Sequence, residues 1–344
     1  PINYLTAPLT DPVTQLISRL DRGEAKLEFD GKSGYLESLL RCLEIPVESQ
    51  TLVFSKTSFQ LRRITSRKPR AVYFNDDVYV GWVQGGDVIE ISSADPRQGA
   101  IFYTLSQDPV GPAAIARDRG QCIVCHASSR TAGVPGHLVR SVYAGADGQP
   151  LFGSGTFNTD DRSPFHERWG GWYVSGTHGD MRHMGNVLAD RHRPAKLLDV
   201  EQGANETNLN RRINTDPYLS EHSDIVALMV LGHQTRMHNL ITRANFETRS
   251  ARHYDRVMNE LMERPADHQS ESTQRRINSS AEKLIECMLF VKEWQLTDVV
   301  QGGSGFSEVF AARGPHDEQG RSLRDLDLET RLLKYPCSFL IYSE

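Results

Sequence analysis

Residues 120–129 read GQCIVCHASS and place Cys122, Cys125 and His126 in the spacing C-x-x-C-H. That spacing attaches a c-type haem. The two thiols add to the haem vinyl groups as thioethers. The histidine directly after them is then held against the iron as an axial ligand. Zinc also uses cysteine pairs, but it takes four donors, and no second C-x-x-C or H-x-x-x-H follows. A dithiol redox motif sits in a βαβ context and has no need of the trailing histidine. The residues therefore predict one covalent haem c on Cys122, Cys125 and His126.

The other axial position decides what such an iron does. A strong second ligand closes it and favours electron transfer; an open position admits O₂, peroxide or substrate. The stretch GGWYVSGTHGDMRHMGN (170–186) offers His178, Met181, His183 and Met184. Met181 and Met184 fall 55 and 58 residues after His126, the chain order of methionine ligands in small cytochromes c. Glycines at 176, 179 and 185 let backbone approach a flat cofactor. In an extended segment His183 and Met184 point to opposite sides, so one alone could reach the iron. His183, His178 and Met184 are the leading candidates. Met181, His137, His233 or an empty position are the alternatives. Each loop histidine also has a plainer reading, as the partner of a backbone group.

Haem propionates want guanidinium partners, which pair bidentately with carboxylates. Arg140, Arg162, Arg168, Arg182 and Arg191 lie in the same stretch of chain, and Arg140 and Arg168 are chosen from them. Trp172, with Trp169 and Tyr173, is read as pocket lining or as ordinary core. A second group, His222, His233, Met237 and His238, falls on a helical pattern. His233 and Met237 share a face, and His238 is turned about 100° from Met237. Helical histidines of this kind are read as packed or surface groups. HExxH, G-x-S-x-G, the P-loop and G-x-G-x-x-G are all absent, which removes the chemistries they carry.

Composition sets the frame. The chain has 344 residues, 38% hydrophobic, with a net charge of −5. It asks for neither nucleic acid nor an anionic membrane. No apolar run of about 18 residues predicts a membrane span. Arg62, Arg63, Arg67, Lys68 and Arg70 form a basic cluster, read as a solvated face or a dock for an acidic redox partner. The opening PINYLTAPLT has neither charged n-region nor apolar h-region. Haem c attachment is an export-side process, so the expectation is a periplasmic or otherwise exported protein whose signal is missing from this chain. Cys42, Cys287 and Cys337 remain, an odd number whose pairing is open.

The elements that must position these residues follow from periodicity. Asp11 caps a helix that starts at Pro12 and closes at Gly23, and SGYLESLLRCLEI makes a second. TLVFSK, AVYF, VYVGWV, VIEIS and AIFYTL are β-rich runs between turn signals, an antiparallel meander. Residues 109–121 are expected to form a short helix leading into the haem motif. Residues 127–215 are irregular and, counting His126, hold six of the twelve histidines. A long irregular segment is usually functional, here by wrapping haem. Helices are expected from Pro217, capped by Thr215 or Asp216, then around 250–263 and 271–294, with a short one in the tail. The fold class is α+β: an antiparallel β meander, a haem-wrapping segment and a C-terminal helical bundle. Its regions are 1–108, 109–215 and 216–344, which could form one compact unit.

Five phrases carry a resemblance: SQTLVFSKTSFQ (49–60), PRAVYFNDDVYVGWV (69–83), CIVCH (122–126), RWGGWYVSGTHGDMRHMGN (168–186) and GRSLRDLDLETRLLKYPCSFLIYS (320–343). They resemble a family of bacterial exported cytochrome c-like proteins with a single C-x-x-C-H. The resemblance spans most of the chain. It implies one covalent haem c at Cys122, Cys125 and His126, and no settled activity. The expectation is a monohaem cytochrome that passes electrons to a partner protein, alone or as a subunit of a larger redox complex. The competing expectation is a peroxidase- or oxygenase-like haem enzyme with an open or weakly held iron. A third reading has the haem mainly hold the fold of a subunit together.

Overall fold

The computed structural model describes residues 1–151, 153–190, 192 and 198–335. Helix α1, Pro12–Asp21, begins as its sequence dictates. Asp11 Oδ1 accepts the Val13 and Thr14 amides at 3.0 and 3.2 Å, and Pro12 needs no acceptor. Val13 and Leu16 face inward. Helix α2, Leu36–Cys42, buries Leu36, Leu39 and Leu40 on one side.

The meander forms β1 (Thr51–Val53), β2 (Arg70–Phe74), β3 (Val78–Trp82), β4 (Val88–Asp95) and β5 (Gly99–Ser106). Two further strands extend it: β6 (Ile115–Arg117) beside β5 and β9 (Trp172–Tyr173) beside β1. The sheet runs β6-β5-β4-β3-β2-β1-β9, every pair antiparallel. Alternation along a strand divides the side chains into two faces. Leu52, Tyr73, Val80, Trp82, Ile91, Ile101 and Tyr103 point to a core closed by α1 and α2. Val53, Val72, Phe74, Tyr79 and Trp172 point to a second core, closed by Ile225–Leu231 of the long helix. Each fully buried aliphatic side chain contributes about 1.5–3 kcal/mol by leaving water. Toward β5 the second face turns polar. Glu90 pairs across from Thr104 and Ser92 across from Phe102.

After β6 the chain forms the one-turn helix α3 (Ile123–His126), the small ladder of β7 (Arg140–Val142) with β8 (Thr156–Asn158), and a long irregular path. The C-terminal half adds α4 (Ile225–Leu261), α5 (Glu271–Met288) and α6 (Phe306–Ala312). This is the expected α+β class, with an antiparallel sheet in the N-terminal half and helices in the C-terminal half. Its second and third regions are tied to the first. β6 and β9 come from the middle region, and Ser175 bridges to Asp224. No helix among the described residues is long and apolar enough to cross a membrane.

Five local expectations are corrected. The run before the haem motif is the edge strand β6, because Ile115–Arg117 meets the free edge at Tyr103–Leu105. The helix expected from Pro217 starts at Ile225, where Asp224 Oδ1 accepts the Val226 and Ala227 amides at 2.8 and 3.2 Å. It then continues through the polar stretch 243–253 to Leu261, since no Gly or Pro interrupts it there. α5 stops at Met288. In the tail, residues 320–335 make turns around a Leu326–Leu333 bridge; the apolar end with Cys337 lies outside the described residues.

Candidate functional site

Asp118 starts the haem-motif turn. Its carboxylate accepts the amides of Gly120, Gln121 and Cys122 at 3.0, 3.3 and 3.0 Å. The turn closes as the Cys125 and His126 amides reach Cys122 O at 3.2 and 3.0 Å. Both cysteines are free thiols, with Cys125 exposed. Burial, with Asp118 and Glu90 adding to it, pushes the Cys122 thiol up to about 12. It is protonated at neutral pH. Among the described residues no third His, Cys, Asp or Glu joins the pair to complete a metal site.

His126 is oriented from behind. Its Nδ1 donates to Gly136 O at 2.9 Å, and Gly136 N returns to His126 O at 2.8 Å. A histidine that donates Nδ1–H to a carbonyl carries its lone pair on Nε2, the arrangement that orients a metal ligand. Gly136 is itself held. Asn239 Oδ1 accepts the His137 amide at 2.8 Å while its Nδ2 donates to His137 O at 2.7 Å. A Cβ on residue 136 would strike Asn239. The His126 ring packs on Phe102, centroids 4.9 Å apart. Burial lowers its pKa from the ordinary value, which keeps it neutral as a ligand must be.

Arg140 approaches the motif from β7. Burial lowers its pKa, the Arg130 charge adds to this, and Cys125 acts against it. Its Nη2 donates to Thr156 Oγ1 at 3.0 Å, and its buried Nε has no protein partner. Trp172 holds the strand, Nε1 donating to Arg140 O at 2.7 Å. Cys122, Cys125, His126 and Arg140 thus fit a covalent haem: two thiols on one turn, a ligand nitrogen oriented from behind, and a buried guanidinium nitrogen in need of an acceptor.

The 170–186 loop is organised differently. Asn186 clamps Val174, taking its amide and donating to its carbonyl, both at 2.7 Å. Asn205 Oδ1 accepts the His178 amide at 2.6 Å, and Asn205 N donates to His178 Nε2 at 3.1 Å. Gly185 N donates to His183 Nδ1 at 3.0 Å. Each ring accepts a backbone amide, so in the neutral ring the other nitrogen carries the proton. Those two nitrogens, His178 Nδ1 and His183 Nε2, are buried without a protein partner. The rings stack 4.6 Å apart and pack on Phe165 and Trp169, whose π faces can receive N–H groups. Met184 Sδ receives Ser141 Oγ at 3.7 Å. Among the described residues, no hydrogen bond or ring contact joins His178, His183 or Met184 to His126 or Phe102. Arg168 belongs to this second group. Its Nε and Nη2 donate to the carbonyls of Ser163 and Asp161 at 2.9 and 3.2 Å, and burial brings its pKa down to about 10. Arg191 lies outside the described residues.

His233 bonds Asp161 Oδ1 through Nδ1 at 3.1 Å and stacks on Phe290, centroids 3.9 Å apart. Asp161, His233 and Cys287 bring donor atoms within 4.8 Å of one another. The Arg236 guanidinium already sits on both Asp161 oxygens at 2.9 and 3.0 Å, where a cation would have to compete. Burial pushes the Cys287 thiol up to about 12. This is a buried ion-pair network.

Sequence reasoning did not single out Phe102, Gly136, Asp118 or Asn239. Asp118 was open to detection, four residues before Cys122 at the start of a turn; the others meet His126 only through the folded sheet and α4. No family model, no curated protein and no solved structure matches this chain.

Proposed function

We propose that this chain is a monohaem c-type redox protein working in an exported, periplasm-like compartment. Cys122 and Cys125 would hold the haem through thioethers, His126 Nε2 would bind the iron, and Arg140 would meet a propionate. The observation that carries the reading is the His126 Nδ1 bond to Gly136 O, because it fixes the tautomer that a haem ligand needs. Electron exchange with a partner protein is the first use this supports; the exposed Cys125 edge offers a route.

A second reading is favoured by a specific observation. His178, His183 and Met184 are each engaged elsewhere. With these three held away, the reading leaves the second axial position to a small exogenous ligand, and its chemistry is that of peroxide or O₂.

The test is expression with a c-type maturation system. The denatured protein should retain haem through acid-solvent extraction and give the pyridine haemochrome of a doubly thioether-linked haem. Extractable haem, or none, would sink the proposal.

A further inference from the structure

Behind His126 a file of rings runs into the second core. Phe102 lies 4.9 Å from His126 and 6.2 Å from His137, and His137 lies 4.3 Å from Tyr79, centroid to centroid. The file ends in a directed hydrogen-bond chain. Gln234 Nε2 donates to Tyr79 Oη at 2.9 Å. A phenol has one proton to give, and the Tyr79 oxygen lies 3.1 Å from His238 Nδ1. Gln234 is locked as a donor by its further bond to Asn75 O at 2.7 Å, and the tautomer that gives the Tyr79 proton an acceptor has His238 Nδ1 unprotonated. In that tautomer the other His238 nitrogen carries the proton, and the Asp76 main chain is a hydrogen-bond partner of the ring. Tyr79 is only 7% exposed, so its proton has no water to leave through. A buried phenol hydrogen-bonded to a neutral imidazole can release electron and proton together, avoiding both a buried phenoxide and a buried cation radical.

We propose that Tyr79 is a redox-active tyrosine, oxidised through the Phe102–His137 file by the haem on His126, with His238 taking its proton. The proposal rests on the haem reading in its open-iron form, and its oxidant is a hydroperoxide. The O–O bond breaks and takes up two electrons and two protons, giving an alcohol and water. One electron leaves the haem and one leaves Tyr79. The Tyr79 O–H bond breaks, the proton stays on His238 Nδ1 as imidazolium, and a neutral tyrosyl radical remains. The two protons consumed come from solvent.

Two measurements test this. In haem-loaded protein, verified by haemochrome, hydrogen peroxide followed by rapid freezing should give a tyrosyl signal in electron paramagnetic resonance. Tyr79→Phe should abolish it and His238→Leu should lower it several-fold. Tyr103→Phe should leave it intact: Tyr103 bonds Asp11 on the opposite sheet face. A haem-loaded protein that leaves peroxide unconsumed, gives no tyrosyl signal, or gives one unchanged in Tyr79→Phe overturns the proposal. In haem-free protein, ¹⁵N resonance should find His238 Nδ1 unprotonated and accepting a hydrogen bond; a protonated Nδ1 at neutral pH overturns it too. A negative haemochrome beside a normal His238 spectrum identifies the haem reading as what failed, and the radical proposal falls with it.

Discussion

Two histidine groups divide this molecule, and hydrogen bonding separates them better than sequence context does. At the motif, His126 gives a proton from Nδ1 to Gly136 O and keeps a lone pair on Nε2. In the loop, His178 and His183 take backbone amide protons from Asn205 and Gly185, so their remaining nitrogens are N–H. The first arrangement suits a metal ligand; the second ties backbone together. The loop was the richer in candidate ligands by residue type, yet its histidines tie Asn205, Phe165 and Trp169 together. Trp169, at φ 63° and fully buried, is held in the left-handed region by that packing.

Breaking the motif should have the largest effect. Replacing Cys122 and Cys125 together by Ser should abolish covalent haem retention, read by haem stain after denaturing electrophoresis, while leaving the far-ultraviolet circular dichroism close to wild type. Breaking the loop's backbone ties should act on stability and leave the iron alone. His183→Ala empties a buried site and orphans Gly185 N, costing about 2–4 kcal/mol in chemical denaturation with the haem spectrum unchanged.

Acid should act next. Burial lowers His238 from its ordinary 6.5 to about 4. The unfolded chain takes up that proton as pH falls below 6.5, and the folded protein resists until about 4. Stability is therefore lost between those values, by on the order of 3 kcal/mol for the full shift. His137 and His183 are lowered in the same sense by burial. Glu293 opposes them. Burial raises it to about 7, so it stabilises the fold as pH falls from 7 toward 4.5. Glu293→Gln should steepen the acid loss, measured as denaturation midpoints at pH 7 and pH 4.5. The smallest effect should come from Gly136→Ala. Its methyl strikes Asn239, costing about 1–3 kcal/mol and shifting the haem band through the displaced Gly136 carbonyl.

The contrast also marks what could be read in advance. The meander was legible because alternating apolar runs are punctuated by Asn75-Asp76-Asp77 and Gly85-Gly86-Asp87 turns, which are local signals. β9 was not, since a two-residue strand has no periodicity and exists only through β1. α4 was split in expectation at its polar stretch, where composition changes but nothing breaks the helix. In the candidate site, the C-x-x-C-H spacing of Cys122, Cys125 and His126 was legible because it is a pattern of sequence alone; the haem it implies belongs to the proposal. The tautomers were not. They depend on Gly136, Asn205 and Gly185 amides and carbonyls, which carry no side-chain signature. Tyr79 and His238 lie 159 residues apart, and only the packing of α4 against the sheet brings them together.

The most direct test is the absorption spectrum of the haem-loaded ferric and ferrous protein, wild type beside His178→Ala and His183→Ala. The division of roles predicts a high-spin ferric spectrum, CO binding on reduction, and the same spectra in both variants. A low-spin, CO-inert wild type that turns high-spin on loss of either loop histidine would contradict it.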